Sequence, residues 1–207
     1  MDGQARPLVR GERVALRRPG REDRDEFLTL RRASADFLQP WEPRPARGVD
    51  PHSDSAFAAY LEGSRGGRCE RLLLCLREGG ALLGGINFNE ISRGPFQNAA
   101  LGYWIGAPFA GKGYMSAGLG LALRYGFENL ALHRLEANIR PENAASLALV
   151  RRAGFRREGF SRRYLQIDGA WRDHERWALL AEDWRQDEGF SDPSCGGSGS
   201  PGSRCDR

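Results

Sequence analysis

Apolar residues recur along the chain with two periods, alternate positions in some stretches and every third or fourth in others, and the elements follow from those periods. Residues 13–17 alternate as a short strand. Residues 21–33 set Phe27, Leu28 and Leu30 on one stripe behind an acidic first turn, which predicts a helix. Pro40, Pro43 and Pro45 then fix φ and remove donors, so Pro40-Trp41-Glu42-Pro43-Arg44-Pro45 is expected to be irregular. A second amphipathic helix is predicted over 53–65. Strands 71–77 and 81–89 read as a hairpin through Glu78-Gly79-Gly80, and 99–105 as a further strand. A helix over 114–129, a strand over 134–139 and a helix over 143–152 follow, the last stopped by Gly154 at a C-cap position. Strands 163–167 and 170–179 flank Asp168-Gly169, a strong hairpin signal. The succession is a mixed α/β one, without internal repeats.

Composition narrows the class. A chain of 207 residues, 40% hydrophobic and 28% charged, suffices for one domain. That domain is expected over 1–188. Residues 189–207 hold five Gly, five Ser and two Pro, and predict a disordered tail. The longest apolar run, Leu72-Leu73-Leu74-Cys75-Leu76, falls far short of the ~20 residues that span a bilayer, so no membrane partner is expected. The first thirty residues carry no apolar secretory signal. Four cysteines (Cys69, Cys75, Cys195, Cys205) are too few for a disulfide scaffold, and a reduced, cytoplasmic setting is the expectation. His52, His133 and His174 form no Cys/His cluster, so no metal is expected. Net charge is +4 and pI about 9.1, but basic and acidic residues are interspersed as on a solvated surface, and DNA is not the expected partner.

The 31 basic residues include a single lysine, Lys112, between Gly111 and Gly113. Biased codon usage could leave it there by chance; a compact ammonium beside phosphate is the functional reading. Strand 99–105 runs into Gly106-Ala107-Pro108-Phe109-Ala110-Gly111-Lys112-Gly113-Tyr114-Met115 and then a helix. Main-chain N–H groups of such a loop, with a helix dipole behind them, can bind an anion, and glycines let the chain approach it closely. Gly106 to Lys112 also fits the first seven positions of a nucleotide P-loop. The eighth, which should supply a Mg²⁺-holding hydroxyl, is Gly113, and Pro108 and Phe109 sit where the loop must curl. A diphosphate without obligatory metal, as in coenzyme A, suits the loop better.

Gly111-Lys112-Gly113-Tyr114-Met115-Ser116, Asn143-Ala144-Ala145-Ser146 and Gly154-Phe155 resemble the GNAT acetyltransferases, in particular their RimJ/RimL branch. Phe37-Leu38-Gln39-Pro40-Trp41-Glu42-Pro43, Leu101-Gly102-Tyr103-Trp104-Ile105-Gly106, Tyr164-Leu165-Gln166-Ile167-Asp168-Gly169 and Trp171-Arg172-Asp173-His174 make the chain most like the RimJ type, which acetylates the N-terminal amine of a ribosomal protein. The resemblance spans about residues 10–185, and the broader family's loop differs at Ala110 and Met115. It implies a GNAT fold, a central twisted mixed sheet of about seven strands flanked by about four helices. It also implies acetyl-CoA as cosubstrate, held by Trp104, Ile105, Gly106, Gly111, Lys112, Gly113, Tyr114 and Met115, with Asn138 and Asn143 on the pantetheine arm. Strands 99–105 and 134–139 would splay to admit that arm. Asn143 fits a helix N-cap equally well. Ser146 would donate a hydrogen bond to the departing thiolate; an ordinary helical serine is the alternative. In RimL-like relatives a glutamate serves as base where this chain has Leu165. Glu42 is the substitute, against a solvated loop charge, and Asp173 with His174 is a second option that suits bracing of the hairpin. Trp41, Trp104, Trp171 and Trp177 read as core or wall, and Cys69 and Cys75 as buried small hydrophobes, so direct attack in a ternary complex is expected. The acceptor is a protein N-terminus, a ribosomal protein among the candidates, or a small amine or antibiotic. A non-enzymatic ribosome- or RNA-binding module is the alternative of another class. Monomer and homodimer both remain open.

Overall fold

Strands β1 (Val9–Arg10), β2 (Val14–Arg17), β3 (Glu70–Leu76), β4 (Leu82–Ser92) and β5 (Asn98–Ile105) pair antiparallel in sequence order. Strand β6 (Arg134–Ile139) joins β5 in parallel, and β8 (Ala170–Leu180) then lies between β6 and β7 (Arg156–Ile167). The result, in a computed structural model that describes residues 7–63 and 67–186, is one eight-stranded sheet ordered β1-β2-β3-β4-β5-β6-β8-β7. Helices α1 (Arg24–Ala33), α2 (Ala35–Leu38) and α3 (Asp54–Glu62) pack on one face. Helices α4 (Tyr114–Arg124) and α5 (Ala144–Arg152) pack on the other, and α6 (Ala181–Gln186) follows β8.

The apolar run in β3 shows why. Leu72 and Leu74 join the core under α4 and α5, while Leu73 and Cys75 join the core under α1 and α3. A strand covered on both faces needs no polar alternation, and each fully buried leucine contributes about 1.5–3 kcal/mol. At the start of α1, Arg17 and Asp23 form a buried two-bond ion pair at 2.5 and 2.7 Å, and Asp23 also accepts from Gly20 N–H. This buried pair holds the helix in one register against β2, with Arg17 Nε left unpartnered.

Four elements differ from the sequence reading. The two-residue β1 is an eighth strand, too short to show any period. Strand β7 begins at Arg156 rather than at 163; it is an edge strand whose side chains are nearly all exposed, so no hydrophobic alternation marks it. The proline segment opens with a 3₁₀ turn, Gln39–Trp41, because Pro40 sits in a first turn where its missing N–H costs nothing. The helix predicted over 114–129 becomes α-helical only to Arg124 and ends in a π turn, Tyr125–Asn129. Gly126 lies there so close to the core that a Cβ would come within 2.9 Å of Phe88. Asp168 and Gly169 turn the last hairpin with φ of 47° and 74°, as Asp-Gly predicts. Residues 189–207, read as a disordered tail, lie outside the described residues.

Candidate active site

Strands β5 and β6 pair over only three residues, Asn98↔Arg134, Ala99↔Leu135 and Ala100↔Glu136, and then part. The β4 side of β5 stays paired out to Gly84↔Ile105, and Gly106 N–H donates to Leu83 at 2.8 Å. Alternation therefore directs the main chain of Gly102, Trp104 and Gly106 toward β4, and that of Tyr103 and Ile105 toward β6, where nothing in the register pairs with them. A cleft of about 550 Å³ opens between the parted strands, lined by both of them, by Ser146 of α5, by Trp41 and by His174.

The same alternation sorts the side chains by face. Leu101, Tyr103 and Ile105 of β5 and Leu135, Ala137 and Ile139 of β6 turn toward α4 and α5. Trp104 turns toward α1 and α3, and so do the even-numbered residues of β6 and the residues opposite them on β8. The opening is thus lined by residues from both faces of the sheet.

On the α4 side, Gly111 and Gly113 adopt left-handed φ of 73° and 79°, and Gly113 caps α4 without a side-chain bond. The first N–H groups of α4 have no intrahelical acceptor, so they face outward with the helix dipole behind them. Lys112 is exposed, and its carbonyl accepts from Arg13 Nη2 at 3.2 Å. The Arg13 guanidinium lies 4.7 Å over the Tyr114 ring. Arg13, absent from the sequence-based candidates, thus brings a second cation to the loop from the residue just before β2, ninety-nine positions away.

Ser146 sits one turn into α5. Asn143 Oδ1 accepts from Ser146 N–H at 3.0 Å, so Asn143 is the helix N-cap, one of the two roles its position suggested. Ser146 Oγ lies 2.5 Å from the Tyr103 hydroxyl. Burial pushes the Tyr103 phenol up to about 12, with the Ser146 bond pulling the other way, so Tyr103 stays protonated at neutral pH. A phenol is a far stronger acid than an alkyl hydroxyl; Tyr103 donates and Ser146 is left with its own proton to give. Tyr103 was missed from sequence, where its aromatic ring read as part of a motif and its pairing across forty-three residues left no local trace.

Glu42 is engaged by Arg31. Both its carboxylate oxygens accept from Arg31, at 2.7 and 2.6 Å, and it does not line the cleft. With both oxygens held by Arg31 and the residue outside the cleft lining, the geometry does not favour the general-base expectation for Glu42. Its role is bracing: its carbonyl accepts from Asp168 N–H at 2.9 Å, and Arg44 Nε donates to Asp168 at 2.9 Å, fixing the proline segment to the last hairpin. Trp104 lies in the core, as its reading as core or wall anticipated. Its ring, 9% exposed, packs edge-on against Phe27 at 5.6 Å and under the Arg31 guanidinium, while its main chain faces β4. Trp41 is a cleft wall, Trp177 is core, and Trp171 is neither, being 62% exposed. Asp173 accepts from Arg163 N–H at 2.7 Å, which braces the hairpin as expected. Burial raises the Cys75 thiol to about 11, which removes its thiolate at neutral pH. Among the described residues there is no His/Cys/Asp/Glu group able to hold a metal ion and no helix long and apolar enough to cross a membrane.

Asn138 lines the cleft with Oδ1 buried and unpaired. Arg140, at the outer end of β6, donates to the Pro40 carbonyl at 2.5 Å and stacks 5.2 Å from the Trp41 ring, roofing the cleft.

Comparison with known proteins bears on what this opening serves. A family model described as an acetyltransferase (GNAT) domain matches residues 13–156. The chain is 38% identical over 152 residues to the [ribosomal protein uS5]-alanine N-acetyltransferase of Escherichia coli (strain K12), covering 72% of this chain and 77% of that one. It is similar in structure to Mycobacterium smegmatis RimJ in complex with CoA-disulfide, with TM-score 0.76, 34% identity, and 82% and 83% of the two chains covered. It shares its fold with the spermidine N-acetyltransferase of Vibrio cholerae in complex with CoA and spermine, with TM-score 0.71 at 22% identity over 83% and 98% of the chains.

Proposed function

The chain belongs to the GNAT acetyltransferase family, and from that premise we propose that it moves the acetyl group of acetyl-CoA to the N-terminal α-amine of a protein, by direct attack with both substrates bound. The observation that carries this reading is the parting of β5 and β6 after Ala100↔Glu136, which leaves main-chain donors without partners beside a cleft lined from both faces of the sheet.

The residues present fit the cosubstrate. The left-handed turns at Gly111 and Gly113, the free N–H groups of Tyr114 and Met115 and the cations of Lys112 and Arg13 suit a diphosphate. The thioester supplies an activated acetyl group. Tyr103 and Ile105 N–H, unpaired along the parted edge, suit the carbonyl oxygen on which charge develops; one such donor is worth roughly 3 kcal/mol. Ser146 gives its proton to the departing sulfur and regains one from Tyr103. The acceptor approaches from the opposite face, under the roof of Trp41 and Arg140.

The acceptor assignment follows the similarity to the E. coli uS5-alanine enzyme, and makes a ribosomal protein a candidate partner. Chemistry agrees. An α-amine, with pKa near 7.7–8.0, is already about one-tenth neutral at pH 7, whereas a lysine amine near 10.4 is not. Among the described residues that line the cleft none is acidic and one is Arg140, an unfavourable lining for a polyamine. The test is intact-mass detection of one added acetyl group on alanine-initiated peptides supplied with acetyl-CoA. Lys112→Ala should raise the KM for acetyl-CoA about tenfold with little change in kcat, because it removes one exposed charge-assisted contact to phosphate. Turnover of small amines with none of peptides would replace the acceptor; an acetylated enzyme accumulating without acceptor would replace direct attack.

A further inference from the structure

On the face opposite α4 and α5, the cleft is lined by Asn138, whose Oδ1 is buried without a donor, and by His174. Asn138 pairs with Arg176 and Ile139 with Glu175, so the next pair outward sets Arg140 across from His174. Asn138 and His174 are therefore diagonal neighbours on one face of the β6–β8 ladder, and both line the cleft. Asn138 Oδ1 is buried without a partner. His174 is 2% exposed, and its Nδ1 lies 3.0 Å from the Arg172 carbonyl. A carbonyl only accepts, so Nδ1 carries the proton and the neutral ring keeps its lone pair on Nε2.

The surroundings favour the neutral ring. Burial lowers the basicity of His174 below the ordinary histidine value, and the Arg140 guanidinium adds to that. The Arg172 carbonyl, Glu142 and Asp173 oppose it, and Tyr164 meets the ring edge-on at 5.9 Å. Arg140 is itself held by the Pro40 carbonyl, by Glu142 at 3.3 Å and by Trp41, so its charge stays beside the corner. Two lone-pair acceptors next to a fixed cation disfavour an ammonium and welcome an uncharged N–H donor. A neutral amine would satisfy the buried, unpaired Asn138 Oδ1.

We propose that Asn138 and His174 receive the acceptor amine, Asn138 Oδ1 orienting one N–H while His174 Nε2 takes the proton that the nitrogen loses. The inference rests on the acetyl-transfer reading above. The nitrogen–carbon bond forms as the carbon–sulfur bond breaks. The nitrogen's proton passes to His174 Nε2 and on to solvent, and the sulfur takes the Ser146 proton, which Tyr103 and then solvent restore. The proton-accepting role expected of Glu42 moves to a residue that reaches the cleft.

The test uses the full chain, acetyl-CoA and an alanine-initiated peptide, with His174→Asn and Asn138→Ala beside the wild type. His174→Asn keeps an N–H for the Arg172 carbonyl and removes Nε2. The expected result is a kcat about 100-fold lower, an unchanged affinity for acetyl-CoA, and loss of the acidic limb that the wild-type kcat shows against pH. Asn138→Ala should raise the peptide KM about tenfold and leave the KM for acetyl-CoA alone. Wild-type turnover whose kcat lacks an acidic limb overturns the proposal even where His174→Asn fails to fold. So does a folded His174→Asn variant with kcat within threefold of wild type. An Asn138→Ala effect confined to acetyl-CoA assigns that side chain to the cosubstrate and overturns its part. In all three cases the acetyltransferase reading stands; absence of any wild-type turnover removes both.

Discussion

Replacing Tyr103 by phenylalanine removes one oxygen from a place where two hydroxyls lie 2.5 Å apart. The ring keeps its packing, and Ser146 Oγ can turn toward the cleft, so the structural loss is one buried hydrogen bond, about 1 kcal/mol. In a chain of this size that lowers Tm by only about 2–4 °C. The catalytic loss should be larger, because Ser146 then has no protonated phenol behind it when sulfur departs. Positioned proton transfer contributes roughly 10²–10⁴-fold. A thiol ionises near 8.5, so a thiolate leaves tolerably without full protonation and the low end applies. We expect kcat to fall about 10- to 100-fold with the KM for acetyl-CoA unchanged, measured by the free thiol released. Tyr103→Phe combined with Ser146→Ala should be no slower than Ser146→Ala alone, since the two hydroxyls act as one unit. A kcat within twofold of wild type, or a loss found wholly in KM, would refute the relay.

Asn143→Ala should lower stability by about 1 kcal/mol through loss of the cap on α5, seen as a Tm decrease of a few degrees. The KM for acetyl-CoA should stay within about twofold, and a large KM effect at unchanged Tm would make Asn143 a ligand contact first. Folding stability should also depend on pH through His174. Its basicity is lower in the native chain than when unfolded, so between the two values the unfolded chain binds the extra proton. Stability is therefore full above the ordinary histidine value of about 6.5 and falls as pH drops below it toward the native value. Denaturant unfolding of wild type and His174→Asn across that window should show the wild type losing its advantage on acidification; parallel curves would refute the assignment.

Much of the fold is legible in the chain because it is local. The alternation in 13–17 and 134–139, the Asp168-Gly169 turn, the Gly154 stop and the loop from Gly111 to Gly113 depend on neighbours a few residues apart. The cap by Asn143 belongs with them. Elements without a covered face were poorly legible: β7 lies at the sheet edge, and β1 is two residues long. Resemblance supplied Ser146 but offered Leu165 where its relatives carry a base, and the substitute, Glu42, is engaged by Arg31, a tertiary event.

The sequence by itself determined which stretches turn, which alternate and where a diphosphate-sized anion could meet free N–H groups, since backbone sterics and periodicity act within a few residues. Only the tertiary structure decided where β5 leaves β6, that Tyr103 meets Ser146, that Arg13 joins Lys112, and that Glu42 is spent on Arg31 while His174 faces the opening. Those pairings join residues up to a hundred positions apart, and no local pattern encodes them. They arise when the two cores on either side of the sheet pack and fix every strand's register at once.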